Sequence, residues 1–505
     1  MGVSFPQGGD NKRSTTATGR AIFADSVRAI DPSLAARIEH TKDWRKGYID
    51  PLREIVIAAS QTPQSAIDIS NAGLESAHRR FVFATNDGDI SLNEAVSRTA
   101  TPIDSVSVSG RASREEELSI PYRGKRIFGN DLRKQIDTWV TEGVAEPSFG
   151  VALHLLMDNP DWLDLSGTDI AVLGAGAEMA PTRSLLRWGA RIHALDLPRP
   201  EIWQRLIDIA RNTSGSIRIP ISQNEAGSMP FVTGGTVHTE DDQVVAGAAG
   251  VDLLEQPGEI ANWLNEISDP FVLGNYTYAD GAVHAMLSMS ADAIFTKLNS
   301  QREDITLAFL ATPTDVFMVP MACVTESRKR WEARGMAGFF QSPLRMFGQF
   351  EPNYPRTYQT KTGVEVGLND SLVPQQGPNY LLAKRIQRWR ALAARANNTP
   401  VSLNLAPATR TQSVIKNRAL AAAYAGAGRF GVEVFEPATS TTLMAALLVH
   451  DLRNPLSAAN PSTTLANPMD LFVAGANHGG LWRSPYAPRS VLGVAAVLGM
   501  FESRA

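Results

Sequence analysis

The order of apolar and polar positions changes character once along the chain. From Ala21 to about Arg80 apolar residues recur at helical spacing, as Ile22, Val27 and Ile30, then Leu52, Ile55, Val56 and Ala59. That spacing predicts helices. Asn130 to Glu142, with Leu132, Ile136, Trp139 and Val140, and Ser148 to Met157 read as further amphipathic helices. Near Gly167 the pattern turns into short continuous apolar runs separated by helical stretches. Ile170–Leu173 is one such run and meets Gly174-Ala175-Gly176. A helical stretch follows, and a second run, Arg191–Leu195, ends on Asp196. Pro200–Asn212 then reads as a helix, Ser216–Ser222 as a strand, and Gln223–Gly250 as an excursion rich in Gly, Thr and Asp. Pro257–Ile267 suggests a helix and Phe271–Gly274 starts a strand. Val283–Leu298 is a helix packed through Met286, Met289, Ala293 and Leu298, and Ile305–Leu310 is a strand buried on both faces.

Strands alternating with helices predict an α/β fold with a doubly wound parallel sheet. Ser327–Tyr358 mixes Arg and aromatic residues with Gly and Pro, and reads as an insertion or lid. Val373–Arg395 opens a helix that carries Tyr380 and Lys384. Pro400–Pro407 is a strand ending in Ala-Pro, followed by Thr409, Thr411 and Ser413. The expected division is a disordered tail over 1–20, a mostly helical extension over 21–165, and a sheet domain in two parts over 166–325 and 366–435. The insertion or lid falls over 326–365, and a substrate-side segment over 436–505.

Composition narrows the partners. The 505 residues are 43% apolar and 20% charged, with a formal net charge of −4 and no basic stripe, which argues against nucleic acid. A single cysteine, Cys323, excludes an intramolecular disulfide framework and reads as an inert buried thiol. The N-terminal stretch is polar and lacks the apolar core of a secretory signal, and Leu443–Val449 is too short to span a bilayer. The expectation is a soluble cytoplasmic protein with a small-molecule substrate, which the aromatic and aliphatic residues after Trp331 allow to be apolar, possible as a homo-oligomer, with no membrane span.

Two constellations carry chemistry. At Gly174-Ala175-Gly176 the backbone can approach a ligand closely, and N–H groups at the following helix start suit an anion. Asp196, 22 residues after Gly174, stands where a carboxylate accepts hydrogen bonds from ribose hydroxyls. Tyr380 and Lys384 are four apart and share a helix face. An ammonium near a phenol favours the phenolate, which makes Tyr380 a proton donor or acceptor for a carbonyl or alcohol. His450 and His478, 28 apart and without ligand-spaced partners, predict no metal site, and His193 reads as core.

The glycine turn, the acid after the second strand, Tyr380-x-x-x-Lys384 and a strand ending Ala406-Pro407 before Thr409 follow the chain order of the short-chain dehydrogenase/reductase superfamily, which the chain resembles over roughly 168–320 and 365–435. The resemblance implies a Rossmann-like domain binding NAD(H) or NADP(H). Gly174 and Gly176 would lie under the pyrophosphate, and Asp196 on the adenosine ribose, favouring NAD(H). Thr312 and Asp315 would stand near the family's Asn-Ala-Gly segment. Tyr380 would be the acid/base, Lys384 would hold the nicotinamide ribose, and Ser371 would polarise the substrate carbonyl. Pro407, Thr409 and Thr411 would lie by the carboxamide. Glu178 and Met179 occupy the turn where the family has its third glycine.

Two other readings use the same residues. An S-adenosylmethionine-dependent methyltransferase shares the strand, glycine turn and acid, but not Tyr380 and Lys384. A non-catalytic nucleotide-binding scaffold accounts for Glu178.

Overall fold

The computed structural model describes residues 1–9, 11–98, 101–221, 232–233, 236–237 and 241–502. Seven strands organise it: β1 (Asp104–Ser109), β2 (Asp169–Leu173), β3 (Arg191–Leu195), β4 (Ser216–Ile221), β5 (Phe271–Asn275), β6 (Ile305–Ala311) and β7 (Val401–Leu405). They lie side by side in the order β1-β4-β3-β2-β5-β6-β7, and two two-residue strands extend the sheet beyond β1. β2 to β7 are mutually parallel, and β1 is antiparallel to β4. The fold is mixed α/β around this mostly parallel sheet. Half of Gln223–Gly250 lies outside the described residues.

The parallel strands read as continuous apolar runs because both their faces are covered. In β2, Ile170 and Val172 join one core while Ala171 and Leu173 join the other, the period of two that a strand imposes. Helices α1 (Thr15–Val27), α2 (Pro63–Arg80), α3 (Ala282–Asn299) and α4 (Gly377–Ala396) cover the Leu173 face. Thr182–Arg187, Pro200–Arg211 and Pro437–Arg453 cover the Ile170 face. Connections out of β2 and β3 therefore run on one face, and those out of β5 and β6 on the other. β2 and β5 are neighbours with opposite exits, which opens a crevice beyond their carboxyl ends. In register, Leu173 stands beside Leu195 and Asn275, Asn275 beside Phe309, and Ala311 beside Leu405. The residues after these strands line one edge of the molecule.

Three boundaries differ from the sequence expectation. The described residues of the tail over 1–20 are ordered: Gly2–Ser4 pairs with Val82–Ala84, Val3 and Phe5 are buried, and α1 begins at Thr15. A polar composition hid a two-residue apolar anchor. Residues 21–165 are no separate extension, because α1 and α2 pack on α4 and β1 joins the sheet. The inserted segment carries its own antiparallel sheet, Val316–Pro320 with Glu365–Asp370 and Tyr358–Gln359, and so reaches beyond 326–365 at both ends.

Candidate functional site

A cavity of 870 Å3 opens at the carboxyl ends of the parallel strands. Its wall takes Ala177–Met179 after β2, Asn275–Thr277 after β5, Thr312 after β6 and Ala406–Thr409 after β7. Tyr380 and Lys384 of α4 complete the inner side, and Leu492 and Ala495 of the helix Pro488–Glu502 the outer. The volume lies in the range of small-molecule sites, about 300–1,000 Å3.

The glycine turn sits beside this cavity with its polar groups turned inward. Gly174 has φ +79°, and a Cβ there would lie 3.0 Å from the Thr277 backbone, so the turn packs against the chain leaving β5. The Gly174 and Ala175 amides donate to Leu195 O, the Gly176 amide to Asp196 Oδ2 at 2.8 Å, and the Ala177 amide to Gly174 O. Asp196 Oδ1 accepts from Leu197 N, and Arg205 Nη2 donates to Gly176 O. A Cβ on Gly176 would meet Ile202 Cγ2 at 2.6 Å, so protein fills the space that a ligand would need there. Burial raises the Asp196 carboxyl above its ordinary range against the pull of these N–H groups. Gly174, Gly176 and Asp196 are therefore not brought onto the cavity wall. The next helix, Thr182–Arg187, begins only after Pro181 and spans six residues, and its first side chain reaches back to the turn, Thr182 Oγ1 donating to Ala175 O at 2.8 Å.

Glu178 and Met179 do reach the cavity. Glu178 Oε2 accepts from the Gln412 amide at 2.8 Å, 234 residues along the chain. The carboxylate thus caps the short helix Gln412–Lys416 and latches the turn to the loop after β7.

On α4, Tyr380 and Lys384 both line the cavity but are not hydrogen-bonded to each other. Lys384 Nζ donates to Leu310 O at 3.2 Å and to Gln387 Oε1 at 3.1 Å. An ammonium has three donors, so one N–H is left to face the cavity. Burial pulls Lys384 down to about 8. Burial also pushes the Tyr380 phenol well above its ordinary range, with the Thr312 hydroxyl pulling the other way. The expected depression of Tyr380 by Lys384 is corrected here, since burial of the phenol dominates and the ammonium is turned to Leu310 O and Gln387 Oε1.

The remaining expected residues divide. Thr312 lines the cavity and shares a hydrogen bond with Thr314. Pro407, Thr409 and Thr411 line it too, but Thr409 Oγ1 is engaged by Pro407 O and Ser440, and Thr411 Oγ1 by Ser413. Ser371 reaches the wall with its hydroxyl donating to Asn369 Oδ1 at 2.7 Å, so it has no proton for a substrate carbonyl. Asp315 is fully buried between Arg385 and Arg388 and lies off the cavity; a carboxylate there balances two interior cations. His193 pairs with Asp169, His450 with Asp451 and Asn454, and His478 with Glu146, all in the interior. Among the described residues no cluster of His, Cys, Asp and Glu is arranged for a metal, and no helix is long and apolar enough to cross a membrane.

Two residues escaped the sequence reading. Asn275 ends β5 and holds Thr277 through Oδ1, and the chain signal was only an Asn at the end of an apolar run. His284 stacks on Tyr380, with ring centroids 5.3 Å apart. Its Nδ1 accepts from the Ala279 amide, which leaves a buried Nε2–H without a partner. Burial first, and then Lys384, pull His284 down to about 3, so the ring is neutral. A comparison with family models and with curated proteins returns no match for the chain.

Proposed function

We propose that the protein is an oxidoreductase of short-chain dehydrogenase/reductase type, acting on a carbonyl or alcohol with NAD(H) or NADP(H). The observation that carries this reading is one cavity at the sheet's carboxyl edge that gathers Tyr380, Lys384, Thr312 and Thr409. Counted from β2, the parallel strands stand in the order 3-2-1-4-5-6, the order of dinucleotide-binding Rossmann sheets. The helix bearing Tyr380 precedes the sixth of them.

In this reading a substrate oxygen sits at the Tyr380 phenol. A phenol kept protonated by burial is a proton donor to a carbonyl, with the Thr312 hydroxyl beside it as the second polar contact. The spare N–H of Lys384 suits a ribose hydroxyl. The cofactor supplies the hydride. The nicotinamide side of the cavity therefore fits such a group. The adenosine side fits only if the Gly176–Asp196 contact opens, and preference for NAD(H) does not rest on Asp196 while its carboxylate is engaged.

That same contact favours a second reading, a nucleotide-binding scaffold whose phosphate turn is closed. Titration of the nine tryptophans' fluorescence with NADH, NADPH and S-adenosylmethionine separates the possibilities. Quenching by a nicotinamide cofactor supports the reductase. Binding of S-adenosylmethionine alone turns the assignment to a methyltransferase, and binding of none overturns the reductase.

A further inference from the structure

The segment after Met321–Glu332 carries a run of apolar side chains in solvent. Met336, Phe339, Phe340, Leu344, Met346 and Phe347 are between 44% and 88% exposed. They lie on the short helix Gly335–Gln341 and the turn of helix Ser342–Phe347 that follows it. Scattered exposed apolar residues need no explanation, but six within twelve positions form a patch.

The base of this segment is fixed. Trp331, Phe350, Phe430 and Tyr486 pack edge to face, with Phe350–Tyr486 and Trp331–Tyr486 centroids 5.7 and 5.8 Å apart. Tyr486 Oη donates to Gln341 Oε1 at 2.9 Å, and the Phe350 amide to Ser490 O. A pinned base presents the apolar tip outward instead of letting it fold back.

Charge around the tip selects the occupant. Residues 326–351 hold Arg328, Lys329, Arg330, Arg334 and Arg345 against Glu326, Glu332 and Glu351, an excess of two cations in a chain whose net charge is −4; Arg330 pairs with Glu326 at 2.9 Å and Arg345 lies 3.9 Å from Glu351, which leaves Arg328 and Lys329 as the outward cations. Arg328, Lys329 and Arg345 are exposed. A second copy docking through the same patch in a two-fold contact would set these cations against each other. Nucleic acid would take the cations but leave most of the aliphatic surface in water. An anionic lipid surface satisfies both, apolar side chains entering the acyl boundary and cations meeting headgroups.

We propose that residues 335–348 form an interfacial anchor that docks the protein on an anionic membrane surface without spanning it. The inference is independent of the oxidoreductase reading.

Flotation of the full chain with phosphatidylcholine vesicles, with and without phosphatidylglycerol, tests it. The chain is expected to float with the anionic vesicles and to be released as salt is raised. The combined change Phe339→Ser, Phe340→Ser and Phe347→Ser should weaken vesicle binding at least about tenfold. All three sites are exposed, so thermal unfolding of this variant should match the parent. Arg328→Gln with Lys329→Gln and Arg345→Gln should weaken binding only where phosphatidylglycerol is present. Failure of the parent to bind either vesicle overturns the proposal, as does undiminished binding by the serine variant. A concentration-dependent dimer in sedimentation velocity that the serine variant abolishes, or a single-stranded oligonucleotide that displaces the vesicles, assigns the patch to that partner instead.

Discussion

The Gly176 amide donates to the Asp196 carboxylate at 2.8 Å, so the two residues expected to face a ligand face each other. With Leu197 N on the other oxygen and Arg205 on the Gly176 carbonyl, the link between the first two parallel strands is a closed hydrogen-bonded unit. Asp196→Ala leaves two N–H groups without acceptors and should destabilise the fold by about 1–3 kcal/mol. Urea unfolding measures this. Affinity for a nicotinamide cofactor should not fall, because the contact that has to open for the adenosine side to fit is already gone. A tenfold loss of affinity at unchanged stability would show Asp196 on a ligand instead.

Glu178 bridges the turn and the loop after β7. It caps Gln412–Lys416 and also sets a carboxylate on the cavity wall, where an anionic ligand would approach. Glu178→Gln removes the charge and keeps the side chain's reach. Stability should fall by about 0.5–1 kcal/mol, the cost of weakening a cap. NADH affinity, read by fluorescence, should rise. An unchanged affinity would mean that bound phosphate never comes near this wall.

Part of this arrangement was legible in the chain. β2, β3, β5 and β6 are apolar runs because both faces are covered, and continuous burial leaves a continuous apolar signature. β1 reads Asp-Ser-Val-Ser-Val-Ser, with Val106 and Val108 buried, a half-covered strand whose short alternation was lost among neighbouring polar residues. Thr312 and Pro407 fell on one cavity because strand order places the carboxyl ends together, and Tyr380 and Lys384 because α4 packs against β6 and β7. What the chain did not show is where polar groups turn. Asp196 and Asp315 carry the same side chain as a ligand-binding carboxylate would. Only the Gly176 amide and the Arg385–Arg388 pair, set by tertiary packing, reveal them as internal partners.

The protonation of Lys384 falls within an accessible pH range. Burial brings its ammonium from the ordinary 10.5 to about 8. The spare N–H needed by a bound hydroxyl belongs to the charged form, so cofactor affinity should decline as pH rises through about 8. Folding shows the opposite sign, since a depressed ammonium means the charged form is the strained one when folded. Lys384→Met should remove the pH dependence of cofactor binding between 7 and 9, roughly one unit either side of that value. Titration at three pH values checks the parent and the variant.

Tyr380→Phe removes only the phenol oxygen. The ring keeps its stack on His284, so the helix and the cavity wall should persist. Turnover of any carbonyl substrate should fall by at least about a hundredfold, the usual worth of a positioned proton donor. Cofactor affinity should change little, and steady-state kinetics beside fluorescence titration separates the two. Unchanged turnover would take Tyr380 out of the reaction.

Glu146 gathers four donors in the interior. Its Oε1 accepts from His478 Nε2 at 3.0 Å, Arg483 Nε at 2.9 Å and Cys323 Sγ at 3.4 Å, and its Oε2 from Arg483 Nη2 at 2.9 Å. His478 Nδ1 accepts from the Gly480 amide, which fixes the proton on Nε2. The network ties the start of the helix Pro147–Asp158 to the loop before the last helix. Burial alone would raise the Glu146 carboxyl, but the His478 and Arg483 hydrogen bonds outweigh it and hold the group at about 2, against an ordinary 4.5. A depressed carboxyl contributes stability that is complete above its unfolded value and fades as pH falls through the folded one. The parent should therefore lose stability from about 4.5 down to about 2. Glu146→Gln leaves Arg483 without its carboxylate and should cost roughly 3 kcal/mol at pH 7. It should also flatten the acid limb, because glutamine has no proton to take up. Urea unfolding of both proteins at pH 7, 5 and 3 decides the matter: parallel curves in acid would show that Glu146 is not the group whose protonation drives the loss.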